Sequence, residues 1–128
     1  MVLAAGVPGP DRAHLRRIFA SSNWRLLEAA NVEAVRAALS ANAVGVVLCD
    51  SGLKEGCWKL LLNTLEELPR PPLLIVASRN ADDALWSEVL NLGGYDVLPQ
   101  PYESREVVRV LSHAWLHWKA GRSMTAAV

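Results

Sequence analysis

Three residues with functional side chains stand where short apolar segments end. Asp50 follows the apolar run at residues 44–49, Ser78 follows the run at residues 73–77, and Gln100 comes shortly after a third, shorter segment. A carboxylate beside a buried segment is costly to remove from water, so Asp50 is expected to face a solvated cleft. There it could act as a nucleophile or a metal ligand, or it could cap the following loop. The local sequence leaves these three roles open.

Apolar runs and amphipathic stretches alternate along the chain, and this pattern predicts the elements that position those residues. Strands are predicted at residues 2–5, 24–29, 44–49, 73–77 and 96–98, and helices at residues 11–21, 32–41, 56–68, 82–92 and 104–120. Strands that alternate with helices form a parallel sheet, and right-handed crossovers place the helices on both of its faces. The predicted fold class is therefore α/β, with a doubly wound parallel sheet.

The predicted sheet brings the candidate residues to one place. In an open α/β sheet, ligands bind beyond the carboxyl ends of the strands, near the topological switch point. Those ends carry Gly6, Val7, Asp50, Ser78 and Gln100. A functional site is therefore expected at this edge of the sheet.

Composition limits the classes of function. The chain has 128 residues, 52% of them hydrophobic, and a formal net charge of zero. It is long enough for one domain with a real core, expected at residues 1–120 with a flexible tail at 121–128. The balanced charge argues against nucleic-acid binding. Short apolar runs argue against a membrane span, and the N-terminus lacks the pattern of a secretory signal, so a cytoplasmic location is expected.

Two pairs of residues could be taken for metal or redox sites. Cys49 and Cys57 lie eight positions apart, without Cys-x-x-Cys spacing, which favours two reduced thiols. His113 and His117 have the i, i+4 spacing of a helical metal pair, but the sequence offers no evident third ligand. A solvated helix face is the favoured interpretation of the two histidines.

Four segments resemble the receiver domain of bacterial two-component response regulators, the CheY-like superfamily. They are Val-Val-Leu-Cys-Asp at 46–50, Leu-Ile-Val-Ala-Ser at 74–78, Leu-Asn-Leu-Gly-Gly-Tyr-Asp-Val-Leu at 90–98 and Pro-Gln-Pro-Tyr at 99–102. The last three are similar to the family's fourth strand, its "LGAxDYL" segment and its "xKPF" turn. The resemblance implies a flavodoxin-like three-layer sandwich with strand order 2-1-3-4-5. It also implies a cis Gln100–Pro101 bond.

The resemblance also implies roles for the residues at the strand ends. In that family an aspartate after the third strand accepts a phosphoryl group, Mg²⁺ is held by that aspartate and an acidic pair, and a lysine contacts the phosphoryl oxygens. Asp50 occupies the phosphoacceptor position. Ser78 occupies the position of the hydroxyl that contacts the phosphoryl group, and Gln100 replaces the lysine.

The chain departs from the family where positive charge is needed. The acidic pair falls around Gly6, Val7 and Pro8, whose side chains cannot bind a metal, and Asp11, the nearest carboxylate, is expected to start the first helix. Val97 stands at the family's aromatic switch position. We therefore expect no cofactor, poor Mg²⁺ binding and slow or absent phosphorylation.

These observations favour a degenerate receiver-like signalling domain that is not an enzyme and acts in a two-component or phosphorelay system by binding another protein. That partner would be a histidine kinase, an output domain or a second copy of the chain. One alternative is a working phosphoacceptor domain modified on Asp50. Another is a small flavodoxin-like enzyme or nucleotide binder, although no cofactor loop is evident.

The resemblance and the apolar content of the last two helices suggest where a partner would bind. Receiver domains commonly use the face formed by the fourth helix, the fifth strand and the fifth helix. Trp86, Val108 and Leu116 are the apolar residues predicted to form a partner or homodimer surface there. Ordinary core and boundary packing is the alternative interpretation of the same residues.

Overall fold

Strands and helices alternate strictly in the computed structural model, which describes residues 1–6, 9–51 and 57–127. The elements are β1 (Val2–Ala5), α1 (Gly9–Ala20), β2 (Leu26–Ala29), α2 (Val32–Ala41), β3 (Val46–Asp50), α3 (Cys57–Glu66), β4 (Leu73–Ser78), α4 (Asp83–Leu92), β5 (Asp96–Pro99) and α5 (Ser104–Ala127). The predicted α/β class is confirmed. No helix among the described residues is long and apolar enough to cross a membrane.

The sheet has the predicted topology. Its order is β2-β1-β3-β4-β5, and every neighbouring pair is parallel. Leu48 of β3 pairs with Ala4 of β1 on one side and with Ile75 of β4 on the other. β3 is therefore the central strand, and the residue at its carboxyl end lies in the middle of that edge.

The sheet separates two apolar clusters. On one face, Val46 and Leu48 of β3 belong to a cluster that α1 and α5 cover. On the other, Val47 and Cys49 belong to a cluster that α2, α3 and α4 cover. All four residues are fully buried, as the continuous apolar run predicts for a strand covered on both faces.

Several element boundaries differ from the prediction. α1 begins at Gly9, before Asp11, because Pro10 is tolerated in the first turn of a helix and does not have to mark a loop. β2 begins only at Leu26. Trp24 before it packs edge-on against Phe19, with ring centroids 5.8 Å apart.

Other boundaries differ from the prediction at β3, α3 and α5. β3 begins at Val46, because Gly45 precedes the strand as a bend, and α3 ends at Glu66 rather than at residue 68. α5 continues past Ala120 to Ala127. The flexibility of residues 121–128 stays a prediction, and the predicted start of the third helix at Gly56 lies outside the described residues.

Two tryptophans of α5 cover the amino end of β3. Trp115 and Trp118 stack with ring centroids 5.3 Å apart, and the guanidinium of Arg70 lies 4.5 Å from the centroid of Trp118. A Cβ atom added to Gly45 would lie 2.6 Å from Trp115 and 2.8 Å from Trp118. Only glycine leaves room for this pair, so much of the tryptophan content of α5 serves packing.

We expect Gly45→Ala to lower the free energy of unfolding by about 1–3 kcal/mol, the usual cost of overpacking. Urea unfolding followed by circular dichroism measures the change. In a Trp115→Leu background the same substitution should cost less, because its main opposing neighbour is smaller. An equal cost in both backgrounds would show that the indole does not limit this position.

Candidate functional site

The carboxyl end of β3 and the turn after β5 meet in a buried hydrogen bond. Asp50 is the last residue of β3, and its Oδ2 accepts a hydrogen bond from Nε2 of Gln100 at 2.7 Å. Asp50 is 5% exposed and Gln100 is 9% exposed. Asp50 and Gln100 therefore lie next to each other, as predicted, and a neutral amide contacts the carboxylate.

The main chain holds Gln100 in place. Its N–H donates to the carbonyl oxygen of Ser78 at 2.9 Å, which ties the turn to the end of β4. The Gln100–Pro101 peptide bond is cis, as predicted. The backbone of this turn thus directs the Gln100 side chain across β4 toward Asp50.

Tyr102 is a third member of this group. Nε2 of Gln100 also donates to its Oη at 3.2 Å. Burial raises the pKa of the Tyr102 phenol above its usual value, the hydrogen bond from Gln100 opposes that rise, and the negative charge of Asp50 adds to it. The sequence analysis did not name Tyr102 as a site residue. The turn that resembles "xKPF" could have pointed to it, because a tyrosine stands there in place of the phenylalanine and adds a hydroxyl group.

A second carboxylate lies at the same edge and has a cationic partner. Asp11, in the first turn of α1, is 6% exposed. Nη2 of Arg79 donates to its Oδ2 at 3.0 Å. Asp11 is near enough to Tyr102 that its negative charge also raises the pKa of that phenol. Asp11 therefore forms an ion pair at this edge and does not start α1, which begins at Gly9. No sequence motif singles out Arg79.

Ser78 lies at this edge with a different set of contacts. Its Oγ accepts a hydrogen bond from the N–H of Asn80 at 3.1 Å. It also lines a groove between α3 and α4, together with Ser51 and Lys59. Val97, at the family's aromatic switch position, is buried in the cluster on that side of the sheet.

The described side chains at this edge offer no group of carboxylates suited to Mg²⁺. Within residues 1–6, 9–51 and 57–127, no three His, Cys, Asp or Glu side chains lie together in a way that could hold a metal ion. Gly6 offers no side-chain ligand, and Val7 and Pro8 lie outside the described residues. Mg²⁺ gives up its water reluctantly and is normally held by carboxylates, and Asp11 is already paired with Arg79.

The other residues considered for ligand binding have packing contacts. The ring of His117 packs edge-on against Tyr95, with centroids 5.3 Å apart, and His113 is exposed. Cys49 lies fully buried in the cluster beneath α2, α3 and α4, and the side chain of Cys57 lies outside the described residues. The metal-pair interpretation of the two histidines has no support among the described residues.

The three predicted partner-surface residues have different surroundings. Val108 is 42% exposed and Leu116 is 61% exposed, but Val108 lines a groove between α1 and α5 together with Ile18. Trp86 is half-buried and packs against the apolar cluster on the opposite face of the sheet. A partner surface on α4, β5 and α5 stays a prediction, and Val108 faces α1 instead.

The raised pKa of Tyr102 predicts a dependence of stability on pH. The phenol ionises near pH 10 in the unfolded chain and at higher pH in the folded one. The contribution of the buried phenol to the free energy of unfolding is fully present below about pH 10. It is lost as the pH rises toward the folded-state pKa. We expect Tyr102→Phe to lessen the alkaline loss of stability in urea titrations from about pH 8 to about pH 11. Identical pH slopes in both proteins would contradict this.

Comparison with known proteins gives structural matches only. No family model matches the chain, and no curated protein matches it in sequence. Among solved structures, the chain is similar to NtrX from Brucella abortus in complex with ADP, with a TM-score of 0.85 and 17% identity over 98% of this chain. It spans 28% of that NtrX chain.

Two isolated receiver domains match over nearly their whole length. One is the signal receiver domain of an HD domain-containing protein from Pseudomonas fluorescens Pf-5, with a TM-score of 0.81 and 18% identity over 93% of this chain and 96% of the other. The second is the receiver domain of a Francisella response regulator, with a TM-score of 0.78 and 17% identity over 91% and 96%. The chain has the fold of response regulator receiver domains.

Proposed function

We propose that this chain is a degenerate receiver-like domain of a two-component or phosphorelay system, and that it acts by binding another protein without phosphorylation of Asp50. The observation that carries the proposal is the 2.7 Å hydrogen bond from Nε2 of Gln100 to Oδ2 of Asp50. A neutral amide occupies the place where the resemblance puts a lysine. The surroundings of Asp50 therefore differ from those that the resemblance implies for a phosphoacceptor.

Phosphoryl transfer to a carboxylate needs compensating positive charge. Negative charge spreads over the oxygens of the transferred group, and cations fixed in the site stabilise it. The amide of Gln100 brings a hydrogen bond without charge. The guanidinium of Arg79 is directed to Asp11, and the donor set at this edge does not suit Mg²⁺. Each of these features argues against rapid transfer to Asp50.

The structural neighbours support a protein partner. One of them is the receiver domain of an HD domain-containing protein, where the fold accompanies another domain, and the match to NtrX spans 28% of a longer chain. A fold that accompanies other domains in these proteins is suited to contact with an output domain, a histidine kinase or a second copy of itself. The partner of this chain belongs to one of those classes.

The proposal predicts that the protein resists phosphorylation by a small donor. After incubation with acetyl phosphate and Mg²⁺, intact-protein mass spectrometry should show little or no gain of one phosphoryl group. Asp50→Asn serves as the control for reaction at Asp50, and a functional receiver domain treated in parallel shows that the reagents work. A prompt mass gain that is absent in Asp50→Asn would support the working-phosphoacceptor alternative.

Restoring charge at Gln100 should raise any residual transfer. A hydrogen bond to a charged group contributes about 1.5–3 kcal/mol, against about 1 kcal/mol for a neutral one. We therefore expect Gln100→Lys to increase the initial rate of labelling of Asp50 by about tenfold. Gln100→Met, of similar length and uncharged, should give no increase. Equal rates in the two variants would show that charge at this position does not limit transfer.

A further inference from the structure

The ion pair between Asp11 and Arg79 crosses above the central strand. Asp11 lies in the turn of α1 that follows β1, and Arg79 directly follows β4. β3 lies between β1 and β4 in the sheet, and strands are about 4.8 Å apart. Two side chains that meet at 3.0 Å from these two positions must therefore span the carboxyl end of β3, where Asp50 is the last residue.

The pair and Asp50 also lie on the same face of the sheet. Side chains alternate between the faces of a strand, and Leu48 packs in the cluster beneath α1 and α5, so Asp50 projects to that side. Tyr102, which shares the Gln100 amide with Asp50, belongs to the same cluster. The effect of both carboxylates on the pKa of Tyr102 agrees with this placement.

Asp50, Asp11 and Arg79 differ in how far their side chains are exposed to solvent. Asp50 and Asp11 are 5% and 6% exposed, whereas the side chain of Arg79 is 63% exposed. The guanidinium is therefore the outermost group, and its partner carboxylate is held on the far side of β3. The exposed guanidinium can turn away into solvent without unfolding the sheet, because Arg79 follows the end of β4 and its side chain lies largely outside the core. The cost of this movement is the loss of a cation from the largely buried carboxylate of Asp11.

We propose that Arg79 and Asp11 form a removable cover over Asp50. With the ion pair formed, the arginine side chain limits access to the carboxylate from solvent. With the pair broken, Arg79 turns outward and Asp50 becomes accessible. The cover concerns access to Asp50 alone, so it is independent of whether this carboxylate ever accepts a phosphoryl group.

Chemical labelling of carboxylates tests the cover without a metal ion or a phosphodonor. The full chain is treated with a water-soluble carbodiimide and a small amine, and the labelled fraction of Asp50 is followed by peptide mass spectrometry. We expect Arg79→Ala and Asp11→Asn each to raise the labelling rate of Asp50 by at least about fivefold, the factor for an exposed ion pair, because one partner of this pair is largely buried. Arg79 is largely exposed, so its replacement leaves the core unchanged even if Asp11→Asn impairs folding.

A second ion pair provides the matched control. Arg16 and Glu28 contact each other at 2.6 Å between α1 and β2, and Glu28→Gln breaks that pair away from β3. Labelling of Asp50 should stay at the wild-type rate in this variant. An unchanged rate in Arg79→Ala, or an equal increase in Glu28→Gln, would overturn the proposal.

Discussion

A carboxylate buried at the end of the central strand needs a hydrogen-bond donor, and much of this edge of the sheet is arranged around that need. Among the described residues, the amide of Gln100, which follows β5, donates to this carboxylate. β3 and β5 are not neighbours, because β4 lies between them, so the bond reaches across a strand. It depends on β3 ending at Asp50 and on the backbone bond from Gln100 to Ser78. One buried charge therefore constrains the ends of three strands.

The apolar residues that set the fold are separate from most of the polar residues at this edge. The apolar clusters on both faces of the sheet set the fold, and Asp50, Ser78 and Gln100 belong to neither of them. At the edge, Asp11 forms an ion pair with the guanidinium of Arg79, and Asp50 accepts a hydrogen bond from an amide. Fold and chemistry are separable here because different residues determine each of them.

Periodicity predicted the order of elements and the position of Asp50, because burial on both faces leaves a continuous apolar run that ends at the polar edge. It could not predict the partners of that edge. Arg79 and Asp11 meet across β3 from positions far apart in the chain, and a local pattern contains no information about such a contact. Pro10 was interpreted as a loop residue, although it lies in the first turn of α1. The pattern also did not show that Val108 lines a groove beside α1, since direction around α5 depends on packing.

Among the described residues, the two apolar clusters share no side chain, and the sheet lies between them. Tyr102, next to Asp50 and Gln100, packs with α1 and α5, whereas Ser78 opens on the groove between α3 and α4. Asp50 and Tyr102 share the amide of Gln100, and Tyr102 lies among the close-packed side chains beneath α1 and α5. The backbone bond from Gln100 to Ser78 leads to the groove between α3 and α4. The edge around Asp50 is therefore joined to one face of the sheet by side-chain packing and to the other by the main chain.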